Sequence, residues 1–240
     1  IEYISGAYHC GWHRGIEEFR GLYADKDYPY ITKNDKKEID ERIKIIKRNL
    51  PAIIPSAIIS TRDGNIKPED KIIKLTGLLH VDIDNYQGDL NELKKRLAGD
   101  KYIYLAFISP GGRGIKIFTR VKYKSESIKN QIDEFHLYIN EFIAYIESKY
   151  NVTCDKSARD ITRLCLLSYD KDLIYNANSD YFTLAINYNN AIDTKRVGAV
   201  EPIKDSSAVL HYIYEQIISV RGAFIDGNRN NFTYYFAIKT

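Results

Sequence analysis

The sequence predicts an α+β fold, an open-faced sandwich of helices on a sheet rather than a regular βαβ series, and three observations predict it. Apolar runs of strand length at 75–84, 102–109 and 115–121 follow one another closely, and a glycine-rich turn joins the last two as a β-hairpin. Helical periodicity flanks them, most clearly in Ile128, Ile132, Phe135, Ile139, Phe142 and Ile146, spaced 4, 3, 4, 3 and 4. With 44% hydrophobic and 28% charged residues in 240 positions, the chain can bury a sizeable core without disulfide staples.

Taken in order, an irregular aromatic opening precedes Asn34 and Asp35, which offer N-caps for a helix carrying Ile39, Ile43, Ile46 and Leu50 and closed by Pro51. The apolar segment 52–60 is broken by Pro55 and reads as an extended edge, and Arg62 to Asn65 reads as a turn. The strand at 75–84 ends in two acidic residues. Asp89 and Glu92 form a capping box for a short helix bearing Leu90, Leu93 and Leu97, which Gly99 stops. After the hairpin the long helix packs on the sheet, and 161–168 and 181–186 are further strand candidates. Residues 187–202 are polar and irregular, as a linker would be, before Val209, Tyr212, Ile213 and Ile217 resume a helical period that Gly222 ends. A boundary near residue 200 is expected, giving domains 1–200 and 201–240. The chain stops at Thr240 inside a helical pattern, so a longer protein is expected.

No run approaches the roughly 18 apolar residues of a membrane span, so no membrane partner is expected. Cys10, Cys154 and Cys165 are too scattered for a disulfide framework, and no signal-peptide pattern opens the chain, which points to the cytoplasm. The formal net charge is only +3, but residues 101–125 carry Lys101, Arg113, Lys116, Arg120, Lys122 and Lys124 without a single Asp or Glu. This local basic stripe suits an anionic partner, or a solvated charged face.

Three constellations carry possible chemistry. In Asp82-Ile83-Asp84 the two carboxylates share one strand face, and their repulsion is relieved by water or by a divalent cation such as Mg²⁺ or Mn²⁺. A solvated strand end has the same sequence. In the turn from Ser109 to Lys116, Gly111, Gly112 and Gly114 allow close backbone approach, while Ser109, Arg113 and Lys116 suit phosphate oxygens. The spacing is not that of a Walker A loop, and a hairpin needs glycine in any case. The third set is Asp155 and Asp160 with Arg159 and Arg163, which offers a third metal ligand and a bidentate phosphate contact or a surface ion-pair cluster. His80 shares the face of Asp82, and His9, Cys10 and His13 lack a fourth metal ligand at a recognisable spacing.

The order of these motifs is distinctive: a strand ending in Asp-x-Asp, then Ser-x-x-Gly-Arg-Gly-Ile-Lys, then Asp155 with Arg163 eight positions later. Over residues 45–175 it resembles the archaeo-eukaryotic primase (primase-polymerase) superfamily, closest to the N-terminal domain of virulence-associated protein E-like proteins. The resemblance implies an RRM-like antiparallel sheet packed by helices, an N-terminal α/β part, and a DNA-templated primase or polymerase serving a mobile element or phage. It further implies that Asp82, Asp84 and Asp155 are catalytic and hold Mg²⁺ or Mn²⁺, with Asp160 as the alternative third carboxylate. Ser109, Gly111, Gly112, Arg113, Gly114, Lys116 and Arg163 bind the nucleotide in this reading. Many members carry His at the position of Lys116; lysine keeps the cation but not a group titrating near neutrality.

The implied partners are a single-stranded DNA template or primer-template, an NTP or dNTP, and a helicase domain C-terminal to the chain. The stretch Gly227 to Phe232 resembles the start of a helical primase C-terminal segment. Two other readings use the same residues: a catalytically inactive nucleic-acid-binding module attached to a helicase, and a metal-dependent sugar transferase, against which the glycine-rich hairpin with Lys116 and Arg163 argues.

Overall fold

The computed structural model describes residues 11–184. The linker, the boundary near 200, the helix of Val209 to Ile217, the Gly227 segment, His9 and Cys10 lie outside the described residues, as does the end of the strand expected at 181–186.

Among the described residues two helices come first, α1 (Gly11–Lys26) and α2 (Lys33–Asn49). The opening read as irregular is therefore helical from residue 11. Thr32, rather than Asn34 or Asp35, caps α2, its hydroxyl accepting from the Asp35 N–H while the Asp35 carboxylate accepts from the Thr32 N–H. Asp35 completes that box instead of starting the helix. Strands β1 (Ala52–Ile53) and β2 (Ala57–Ile59) flank Pro55, and a single turn, α3 (Pro68–Lys71), leads into β3 (Ile72–Leu75), which pairs with β2.

The main sheet is built from β4 (Leu78–Ile83), β5 (Leu105–Ile108), β6 (Ile115–Arg120) and β8 (Ile174–Tyr175), in the antiparallel order β4-β6-β5-β8. Helix α4 (Leu90–Ala98) has Asp89 at its N-cap and Gly99 at its C-cap, as the sequence predicts, but Asp89 accepts from the Asn91 N–H and Glu92 pairs with Lys95 instead of closing the expected capping box. Helix α5 (Ile128–Tyr150) starts at Ser127 and ends at Asn151 in the left-handed region, φ 54°. A 3₁₀ turn (Lys156–Arg159) and the two-residue β7 (Cys165–Leu166) follow, and β7 pairs with β1. The strand expected at 161–168 is thus much shorter. The result is a mixed helix and antiparallel-sheet architecture of the α+β kind.

Alternation along the strands divides the sheet into two faces. Leu79, Val81, Ile83, Ile115, Ile117 and Ala106 join the helical stripe Phe135, Ile139, Phe142 and Ile146 and the α4 residues Leu93 and Leu97 in the largest core. Each such fully buried side chain contributes roughly 1.5–3 kcal/mol of burial free energy. On the other face Phe118 and Phe107 pack with Cys165 and Leu167. The next residue of β7, Leu166, turns away and packs with Ile16, Phe19, Leu22, Ile43 and Leu50 of the helical pair and its exit. The β1-β7 ribbon is therefore the spacer between the sheet and α1–α2. Among the described residues no helix is long and apolar enough to cross a membrane.

Candidate active site

The site forms where β4 runs out. Asp82 and Lys116 are opposite one another in the β4-β6 register, both buried, and the Lys116 ammonium donates to Asp82 Oδ1 at 2.7 Å. His80, on the same face, has Nε2 3.5 Å from the same oxygen. Burial works against ionisation of Asp82, yet Lys116 and then His80 outweigh it and hold the carboxyl well below the usual range. Burial lowers His80 too, but Cys165 and Asp82 overcome it and raise the imidazole to about 9. The sequence expectation gave Lys116 to a phosphate; in the fold its ammonium sits on Asp82, because the hairpin register leaves no other residue opposite that carboxylate.

β4 is an outer strand, so the Asp82 carbonyl is free to pair, and it accepts from the Asp155 N–H at 2.7 Å. That bond docks the start of the 3₁₀ turn on the end of β4. The Asp155 carboxylate caps the turn, accepting from the Ser157 N–H at 2.9 Å and from the Ser157 hydroxyl, and Arg163 donates to it at 3.3 Å. Burial raises its pKa, while Ser157 and Arg163 together lower it. Asp84 lies one residue past β4, exposed at the surface, before Asn85 in the left-handed region (φ 48°). Its pKa is raised, first by desolvation, then by the negative charges of Asp82 and Asp155. Asp84 follows Asp82 by two residues and the Asp155 main chain is bonded to that of Asp82, so the three aspartates meet at the end of β4.

The structure thus brings Asp82, Asp84, Asp155, Lys116 and Arg163 together. The Asp160 carboxylate accepts from the Thr162 N–H at 2.9 Å and hydroxyl at 2.8 Å, whereas it is the main chain of Asp155 that is bonded to the end of β4. Lys47 of α2 adds positive charge near Asp84; nothing in its sequence setting distinguished it from the other lysines of that helix.

The glycine-rich turn closes as expected, with the Gly112 N–H donating to the Ser109 carbonyl and the Ser109 N–H to the Gly114 carbonyl, both at 2.9 Å. Each glycine makes room for protein. A Cβ on Gly114 would stand 2.1 Å from the Ile83 carbonyl oxygen, one on Gly111 2.7 Å from the Tyr23 ring, and one on Gly112 (φ 72°) 3.1 Å from the Arg20 stem. Arg113 reaches α1 and its exit as well, 5.2 Å from the centre of the Tyr23 ring and 3.1 Å from Asp27 just past the helix. Helix α1 therefore covers this side of the turn, a contact that sequence reading missed because the segment showed no recognised helix. The turn is also tied to the carboxylates, since the Tyr86 N–H, two residues past Asp84, donates to the Arg113 carbonyl at 2.8 Å.

Among the described residues no group of three or more His, Cys, Asp or Glu side chains is arranged as a ready metal cage. Asp84 and Asp155 present carboxylate oxygens at this strand end, where Lys116 pairs with Asp82 and Arg163 with Asp155.

Residues 45–175, more than half the chain and including the whole site, match the model of the BT4734-like, N-terminal domain family. The chain belongs to this family. No curated protein and no solved structure matches it. In this BT4734-like domain the matched segment opens within α2, so α1 and its cover over Gly111 and Gly112 precede the family segment.

Proposed function

We propose that the BT4734-like domain is a nucleotidyltransferase of the primase-polymerase type, joining nucleotides on a single-stranded template or primer-template. One observation carries the reading: carboxylates from two distant parts of the chain, Asp82 and Asp84 on one side and Asp155 on the other, are tied together by the Asp155 N–H to Asp82 carbonyl bond, with Lys116 and Arg163 beside them. The resemblance to archaeo-eukaryotic primases in the order of these motifs supports it.

In this reading Asp84 and Asp155, with Asp82, hold Mg²⁺ or Mn²⁺. Bound divalent ions would lower the pKa of an attacking 3′-hydroxyl and stabilise charge on the oxygens of the transferring α-phosphate. Lys116 fixes Asp82 in its ionised form and offsets local charge. Arg163, about two-fifths exposed, can leave the 3.3 Å contact with Asp155 to clamp a triphosphate bidentately. The α1 cover leaves Ser109 and the backbone of the turn, rather than its glycine faces, for the nucleotide.

A second reading is favoured by the same cover and by the Lys116–Asp82 pair: a catalytically inactive nucleic-acid-binding module whose former catalytic groups satisfy one another. The discriminating experiment supplies a single-stranded template, labelled NTPs or dNTPs and Mg²⁺ or Mn²⁺ to the protein and to an Asp82→Asn/Asp84→Asn variant. Incorporation that falls at least a hundredfold in the variant supports the enzyme. Equal incorporation by both proteins, or none by either, removes it.

A further inference from the structure

The basic stripe of residues 101–125 divides in the fold. Arg113 and Lys116 are engaged at the turn end of β6, by Asp27 and Asp82. Arg120 and Lys122 lie toward the other end, Arg120 being four residues from Lys116 and so roughly 13 Å away along the strand. There the cations alternate with tyrosines from neighbouring strand ends. The Arg120 guanidinium lies 5.2 Å from the centre of the Tyr104 ring and 4.8 Å from that of Tyr181, and the Lys122 ammonium lies 4.2 Å from Tyr181. Tyr104 meets Tyr175 edge-on, centroids 5.5 Å apart.

Two members of this row are open to solvent. Tyr175 stands on the outer strand β8 with 42% of its surface exposed, and Lys122 is exposed as well. Arg120 donates to the Ser179 carbonyl, while its Nε is buried without a hydrogen-bond partner among the described residues. The adjacent carboxylate of Asp180 pairs with Lys101 at 3.4 Å rather than with Arg120 or Lys122.

We infer that Tyr175, Tyr104, Arg120, Tyr181 and Lys122 form a surface for single-stranded nucleic acid, set apart from the carboxylate site. The exposed Tyr175 ring offers a face to an unpaired base, the buried Tyr104 ring backs it edge-on, and the exposed Lys122 meets a phosphate. A duplex keeps its base faces stacked inside and gains nothing from the rings. An acidic peptide would use the cations but leave the rings idle. The inference rests on the nucleic-acid half of the proposed function and not on its chemistry.

The test is fluorescence anisotropy of the 240-residue chain with a fluorescein-labelled single-stranded oligodeoxythymidine over a range of salt concentrations. Tyr175→Ala should weaken binding about fivefold or more while Tyr175→Phe binds as the parent does. Lys122→Gln should reduce the slope of log affinity against log salt by about 0.7. Both positions are exposed, so the variants fold, and thermal melts check this. No binding by the parent, unchanged affinity and slope in both variants, or displacement of the oligonucleotide by polyglutamate at equal concentration overturns the inference. A protein that binds through these residues yet incorporates no nucleotide leaves the surface standing and removes the nucleotidyl-transfer reading.

Discussion

The main-chain N–H of Asp155 donates to the carbonyl of Asp82 at 2.7 Å, 73 positions earlier in the chain. A bond between backbones holds whatever the two side chains are doing. Both carboxylates can therefore change partner, from Lys116 or Arg163 to a ligand, without loosening the frame that sets them side by side.

The buried pair on β4 and β6 should show the asymmetry of such pairs. Lys116→Met strands the Asp82 carboxylate in the sheet and is expected to cost about 3–5 kcal/mol, whereas adding Asp82→Leu to the same chain should recover most of the loss. Urea unfolding of the parent, the single variant and the double variant measures both steps. A single variant within about 1 kcal/mol of the parent would mean that His80 alone suffices as partner.

Divalent ions should stabilise the fold through Asp84. Desolvation first, and then the charges of Asp82 and Asp155, hold its pKa up, and a cation there relieves the repulsive part. At a hundred times its dissociation constant such an ion contributes about 2.7 kcal/mol, a readily measured rise in Tm. Asp84→Asn and Asp155→Asn should each reduce the rise to that seen with a monovalent salt at equal ionic strength.

Acid stability should depend on Asp100. Its carboxylate accepts from the Tyr150 hydroxyl at 2.6 Å, the Tyr145 hydroxyl at 2.8 Å, and Lys149 and the Tyr102 N–H at 2.9 Å, so that despite burial its pKa is lowered. A depressed pKa gives a contribution fully present above the unfolded value of about 3.9 and lost as the pH falls through the folded value. Asp100→Asn should cost about 1–3 kcal/mol at neutral pH, and the difference from the parent should shrink below about pH 3.9. A gap that stays constant down to pH 2 would contradict this assignment.

Glycine substitutions should divide sharply. Gly114→Ala places a methyl 2.1 Å from the Ile83 carbonyl oxygen and should lower Tm by more than 10 °C or prevent folding, while Gly64→Ala meets nothing within 4 Å and should leave Tm within about 2 °C. Thermal melts of the two proteins side by side decide it.

What the sequence disclosed follows from how locally each feature is written. The hairpin of β5 and β6 and the helix α5 repeat their own periods, and Asp89 and Gly99 bracket α4, so these needed no partner to be read. Helix α1 was obscured because Gly11, Gly15 and Gly21 interrupt the apolar face of Trp12, Ile16, Phe19 and Tyr23, lowering helix propensity where the burial that repays it comes from α2 and β7. The nearness of Asp155 to Asp82 was expected only from motif order; the free carbonyl that makes it real depends on β4 being outermost. The Lys116–Asp82 pair and the cover of α1 on Gly111 depend on strand register and on packing between elements far apart in the chain, which no local pattern encodes.

The segment shared with the family opens at residue 45, yet Ile16, Phe19, Leu22 and Ile43 are packed with Leu50 and Leu166. The matched segment is thus shorter than the packed one. A recombinant piece trimmed to the shared segment would bare the oily flank of the β1-β7 ribbon and free Arg113 from Asp27, so solubility and phosphate affinity measured on that piece would describe a different molecule.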